Sequence, residues 1–118
     1  MNKILVVDDN KDILDVVRLI LKMDNYDVKT IYNWEEIPQS INAFLPDLIL
    51  LDISLSGADG RDICKELKKS ESTRDIPVIL FTAHHHLANS FNECLANGLI
   101  TKPFSKDDLL EIIRTNLS

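Results

Sequence analysis

The chain has 118 residues, 45% of them hydrophobic and 27% charged, with a formal net charge of -6 and a pI near 4.9. That length suits one domain, 1–118, with a core of its own, and the acidic balance argues against a basic face for nucleic acid or anionic membrane. No apolar run approaches the ~20 residues that span a bilayer, and Met1-Asn2-Lys3 leads straight into a strand pattern rather than a signal peptide, so a cytoplasmic location is expected.

Residues 3–7 read as a first strand, and Ile13, Leu14, Val17, Ile20 and Leu21 then recur at helical spacing over roughly 11–23. Val28 to Tyr32 is a weaker second strand. Asn33 and Glu36 resemble a capping box, but Pro38 falls where an early helix would need an N–H, so a late or irregular first turn is expected. Pro46 ends that helix, and Asp47 to Leu51 is a third strand. Gly57 and Gly60 mark a turn before a helix over about 61–69. Pro77 opens a fourth strand, Val78 to Phe81. Leu87, Phe91 and Leu95 give an apolar stripe to a helix over about 86–96, with Asn97-Gly98 as its stop. A short fifth strand, Leu99 to Thr101, precedes a last helix with Ser105 as N-cap, Asp107 and Asp108 in its first turn, and Leu109, Leu110, Ile112, Ile113 and Leu117 on its buried face. Cys64 and Cys94 have neither CxxC nor metal-ligand spacing and are read as buried reduced thiols.

Strands that are apolar throughout, alternating with amphipathic helices, indicate a parallel sheet covered on both faces. Right-handed crossovers favour an α/β three-layer sandwich, a doubly wound, flavodoxin-like sheet of five strands in the order 2-1-3-4-5. Ligands bind such folds outside the carboxyl ends of strands 1 and 3. Asp8 and Asp9 follow the first of these strands and Asp52 the second, while Thr82 follows the fourth and Lys102 the fifth. Like charges about 4 Å apart repel by roughly 4 kcal/mol at an effective dielectric near 20. Three gathered carboxylates therefore call for a hard divalent cation such as Mg²⁺. The ion's open positions and Lys102 suit phosphoryl oxygens, and a positioned carboxylate can attack phosphorus. Any one Asp at a strand end is ordinarily a cap or turn former; it is the joint placement that is specific.

The stretches Ile4-Leu5-Val6-Val7-Asp8-Asp9-Asn10, Leu50-Leu51-Asp52-Ile53, Gly57-Ala58-Asp59-Gly60, Phe81-Thr82-Ala83 and Thr101-Lys102-Pro103-Phe104 resemble the receiver domains of two-component response regulators, similar to the single-domain chemotaxis regulators. The resemblance covers essentially the whole chain. It implies that Asp52 is the phosphoacceptor, supplied by a sensor histidine kinase or phosphotransfer protein. It implies Mg²⁺, with Mn²⁺ as a substitute, held by Asp8, Asp9, Asp52 and the backbone carbonyl of Ser54. Lys102 would pair with phosphoryl oxygens, Thr82 would hydrogen-bond them and shift on activation, and Lys102-Pro103 would be cis. The family's output is a downstream protein target or an attached output domain, and a phosphorylation-dependent dimer is compatible with it. By the same resemblance, the output face would be the fourth helix, fifth strand and last helix, and the helix after Asp9 would help dock the kinase.

Several positions depart from the family pattern. Leu99 stands where a switch aromatic is usual, which predicts a weaker or different readout on the fifth strand. Ser56 replaces a common proline, which predicts a looser loop, and Cys94-Leu95 replaces the usual Ala-Gly. Ser54 and His84, two residues beyond Asp52 and Thr82, are positions that tune dephosphorylation in the family. His84-His85-His86 is read as a solvated loop rather than a metal site, because consecutive residues do not share a helix face. Two rivals carry less: a degenerate receiver that only binds partners conflicts with the intact Asp8, Asp9, Asp52, Thr82 and Lys102, and a small α/β phosphatase or nucleotide binder lacks its D-x-D, G-x-x-x-x-G-K-[ST] or G-x-G-x-x-G motif.

Overall fold

The computed structural model describes residues 2–83 and 94–117. Five parallel strands form the main sheet: β1 (Lys3–Val7), β2 (Asp27–Ile31), β3 (Leu48–Asp52), β6 (Val78–Thr82) and β7 (Gly98–Thr101). Their order, β2-β1-β3-β6-β7, is the expected 2-1-3-4-5 when only the main-sheet strands are counted. Two short strands the sequence reading missed, β4 (Ser54–Leu55) and β5 (Ala58–Asp59), make an antiparallel hairpin just after β3.

Alternation along the strands divides the core into two layers. Ile4, Val6, Leu48, Leu50, Ile79 and Phe81 pack with Leu14, Val17 and Leu21 of α1 (Lys11–Met23) and with Leu109, Leu110 and Ile113 of α4 (Lys106–Leu117). Leu5, Val7, Ile49, Leu51, Val78 and Leu80 pack against the opposite face, with Ile37 and Ile41 of α2 (Ile37–Phe44) and Cys64 of α3 (Gly60–Lys69). Both faces of β3 and β6 are buried, which is why those strands carry no polar alternation until their last residue.

Local signals explain the helix starts. The side chain of Asn10 caps α1 by accepting from the N–H groups of Asp12 and Ile13, a cap the sequence reading overlooked. Ser105 caps α4 as expected, accepting from the Asp108 N–H at 3.0 Å. The irregular start before α2 is a 3₁₀ turn at Trp34–Glu36, with Pro38 in the first turn of the helix proper. The Asn33–Glu36 capping box does not form: Asn33 makes no side-chain cap bond, because a 3₁₀ turn occupies the stretch that the box would have closed.

The Asn97-Gly98 stop is also corrected. Gly98 is the first residue of β7, and the left-handed residue before it is Leu95, at φ 64°. Gly98 packs closely, since a Cβ there would meet the ends of the Ile79 and Ile112 side chains at 3.0 and 3.1 Å. Most of the helix expected over about 86–96, and His84, His85 and His86 with it, lie outside the described residues.

Leu45 ends α2 in the left-handed region, at φ 55° and ψ 62°, with 67% of its surface exposed. A branched side chain there opposes the conformation and gains little burial in return. Leu45→Asn is expected to raise stability by about 0.5–1 kcal/mol, because Asn tolerates this region without the unfolded-state entropy of glycine. The urea midpoint of the variant should rise, and a fall would contradict the strain argument.

Candidate functional site

Strand register assembles the site. Val7 pairs with Leu51, so Asp8 falls beside Asp52. Asp52 pairs with Phe81 and Thr82 with Thr101, which puts Thr82 and then Lys102 on the same sheet edge. One oxygen each from Asp8, Asp9 and Asp52 lie within 4.8 Å of one another. Lys102 Nζ donates to Asp8 Oδ2 at 2.9 Å and to Asp52 Oδ2 at 3.5 Å, and sits 4.7 Å from the centre of the Phe81 ring. The ring belongs to the core layer shared with α1 and α4, and it holds the ammonium by a cation–π contact. The Lys102–Pro103 bond is cis, as expected.

Burial makes this arrangement costly. Asp8 is fully buried and Asp52 only 4% exposed. The Asn10 N–H donates to Asp8 Oδ1 at 2.9 Å, and the Ser54 N–H to Asp52 Oδ1 at 3.2 Å. Desolvation, and then repulsion from Asp8, push the Asp52 carboxyl from its ordinary 3.8 up to about 7, against the pull of Lys102 and the Ser54 N–H. Among the described residues, one ammonium thus faces three carboxylates. The donor set is all oxygen and short of positive charge, which fits a hard divalent cation such as Mg²⁺.

Asp9 is held differently from its neighbours. It is exposed, and its Oδ2 accepts from both the backbone N–H of Ser56, at 3.0 Å, and the Ser56 hydroxyl, at 2.9 Å. The Ser56 carbonyl in turn accepts from the indole N–H of Trp34 at 3.1 Å. Ser56 therefore ties the β4–β5 turn to Asp9 on one side and to Trp34 on the other, contrary to the looser loop expected from the missing proline. Proline could supply neither donor.

The remaining predicted residues separate clearly. Thr82 is fully buried at the end of β6, and its carbonyl accepts from the Lys102 N–H at 2.7 Å. Ser54 is on β4 beside Asp52, with its side chain exposed. Leu99 is half-buried on β7 and packs on the α2–α3 side of the core, at the edge of a groove of about 420 Å³ between β7 and α4. His84 lies outside the described residues.

Three contributors escaped the sequence reading: Ser56, Trp34 and the close packing of Gly60. A Cβ on Gly60 would lie 2.1 Å from the Asp52 carbonyl oxygen. The Gly60 N–H donates to the Ile53 carbonyl at 2.8 Å. The glycine signal was visible in the chain, but its contact across the hairpin was not. Cys64 and Cys94 are both buried and not joined in a disulfide, as expected, and burial beside Cys94 pushes the Cys64 thiol up to about 12.

Comparison with known proteins agrees with this geometry. A family model described as the response regulator receiver domain matches residues 4–114. The receiver domain of NtrX from Brucella abortus is 34% identical, with a TM-score of 0.88 and 97% of each chain covered. The response regulator TrrA from Thermotoga maritima, solved in complex with Mg²⁺-BeF, is 31% identical, with a TM-score of 0.90, covering 99% of this chain and 100% of that one. A signal receiver domain of a histidine kinase from Syntrophus aciditrophicus is 29% identical, with a TM-score of 0.90, covering 99% of this chain and 90% of that one.

Proposed function

Because the chain belongs to the response regulator receiver domain family, a family of signalling phosphoacceptors, we propose that Asp52 is the residue that takes the phosphoryl group. The observation that carries this reading is the placement of the Asp52 carboxylate: buried, touched by Lys102, and within reach of the Asp8 and Asp9 carboxylates. In the transfer, an Asp52 oxygen bonds to phosphorus as the donor's P–N bond breaks, and the electron pair leaves with the donor imidazole. Lys102 needs to move little to meet the incoming phosphoryl oxygens, and Thr82, on the same edge, offers them a hydroxyl. Asp8, Asp9, Asp52 and the Ser54 carbonyl would hold Mg²⁺, or Mn²⁺ in its place. The bound ion supplies positive charge to the phosphoryl oxygens.

The carboxylates and Lys102 hold the site in readiness before transfer, so most of the chemistry is positioning and charge neutralisation. Hydrolysis of the acyl phosphate by the same site would end the signal, with Ser54 and His84 tuning its rate. Phosphorylation biases an equilibrium between two conformations only by its differential interaction with them. Leu99, in place of a ring, offers less area and no hydroxyl to that readout.

The donor is a sensor histidine kinase or phosphotransfer protein of the cytoplasm. Val16, Leu19 and Met23 of α1 are 54%, 62% and 71% exposed and share one face at helical spacing, which supports docking of an apolar partner helix along α1. The output is a downstream protein or output domain on the face that includes β7 and α4, with dimerisation there as one form of readout.

Intact mass measured after incubation with acetyl phosphate tests the reading. Wild type should gain one phosphoryl group with Mg²⁺ present, the gain should be lost on hydroxylamine treatment, and Asp52→Asn should gain none. A gain retained in the variant would move the acceptor elsewhere.

A further inference from the structure

We propose that Ser56 is a positioning residue for the cation: it holds Asp9 oriented, through one carboxylate oxygen, so that the other stays available to Mg²⁺. This rests on the reading of Asp8, Asp9 and Asp52 as the Mg²⁺ site. Asp8 and Asp52 are buried and share Lys102. Asp9 is exposed and makes no ion pair with Lys102 among the described residues. Without a tether, repulsion from the two buried carboxylates would turn an exposed carboxylate toward solvent. Ser56 supplies that tether twice over, by its N–H at 3.0 Å and its hydroxyl at 2.9 Å. Hydrogen bonds to an ionised acceptor are the strong ones.

The sign of the effect follows from which oxygen is held. Both donors converge on Oδ2, and among the described residues no donor meets Oδ1. In this held position one Asp9 oxygen lies within 4.8 Å of an oxygen from each of its two partners, and the two Ser56 bonds leave Oδ1 open to an ion. The tether therefore lowers the ordering cost of binding rather than competing with the ion. The Trp34 indole, donating to the Ser56 carbonyl at 3.1 Å, fixes the far side of the turn. Trp34 is the sole tryptophan of the chain, so its emission reports on the same turn.

Mg²⁺, added as its chloride without any phosphodonor, is titrated into wild type, Ser56→Ala and Ser56→Thr, with calorimetry for the affinity and Trp34 emission as a second signal. Loss of a group that orients a metal ligand typically weakens binding 10- to 100-fold; with one of two donors lost, Ser56→Ala should weaken Mg²⁺ about 3- to 10-fold. Ser56→Thr, which keeps the hydroxyl, should stay within about 2-fold of wild type. An unchanged urea midpoint for Ser56→Ala without Mg²⁺ separates positioning from general destabilisation. Wild-type binding with Ser56→Ala equal or tighter would overturn this inference alone. No Mg²⁺ binding by wild type would overturn the metal reading and this inference with it.

Discussion

Gly60→Ala should destabilise the protein by at least about 3 kcal/mol, at or above the upper end of the usual overpacking range. The added Cβ would stand 2.1 Å from the Asp52 carbonyl oxygen, 2.9 Å from its carbon and 3.0 Å from the Ile53 Cα. All three are backbone atoms, so no side chain can rotate away to make room. The strain falls between the end of β3 and the start of α3, where Gly60 also donates to the Ile53 carbonyl. With a urea m-value of about 1–3 kcal/mol/M for a small domain, the midpoint should fall by about 1 M or more. Because the clash bears on Asp52 itself, Mg²⁺ affinity should fall along with stability. A midpoint within about 0.3 M of wild type would show that the β3–α3 junction yields easily.

Asp52→Asn should stabilise the Mg²⁺-free protein at pH 8, on the order of 2–4 kcal/mol from a carboxyl raised by about three pH units at about 1.4 kcal/mol each. The folded-state value of Asp52 lies near 7, above its ordinary 3.8, for reasons of burial first and Asp8 second. In the unfolded chain this carboxyl ionises first. Between about pH 4 and 7 the folded state therefore holds the extra proton, and stability drains away as pH rises through that window. Asparagine removes the titration, so the difference between variant and wild type should open across the window and level off above it. Comparing the two proteins cancels the titrations they share.

Mg²⁺ should close part of that gap, since it stabilises only the state that binds it; at ten times its Kd it adds about 1.4 kcal/mol. The variant, short of one carboxylate, should respond less. Urea or thermal unfolding at pH 4, 6 and 8, with and without 10-fold excess over Kd, reads all of this. An Asp52→Asn variant less stable than wild type at pH 8 would mean that Lys102 and the Ser54 N–H outweigh burial and repulsion at this site.

Much of the site was legible in the chain because strand ends report themselves. An apolar run that stops abruptly at Asp8, Asp52, Thr82 or Lys102 places that residue where a buried strand meets solvent. Parallel order then requires these ends to share one edge. Ser105 as a cap and the late start of α2 were legible for the same reason: they depend on residues within a few positions of each other. The errors lie where local signals compete. The Asn33–Glu36 pair had the composition of a capping box, but Pro38 and the 3₁₀ turn settled the geometry first. Gly98 was read as a helix stop because glycine favours left-handed turns. It is instead the first residue of β7, close against the Ile79 and Ile112 side chains, while Leu95 takes the left-handed φ.

From its sequence alone, this protein was determined to be a doubly wound α/β domain with three carboxylates, a threonine and a lysine on one sheet edge, because periodicity and strand order are properties of the chain itself. Only the tertiary structure decided how that edge is held. Ser56 reaches Asp9 across 47 positions, Trp34 reaches Ser56 across 22, and Lys102 reaches Asp8 across 94. Hydrogen bonds of that separation exist only once the hairpin, the 3₁₀ turn and β7 have been folded against one another, and no spacing rule within one segment encodes them.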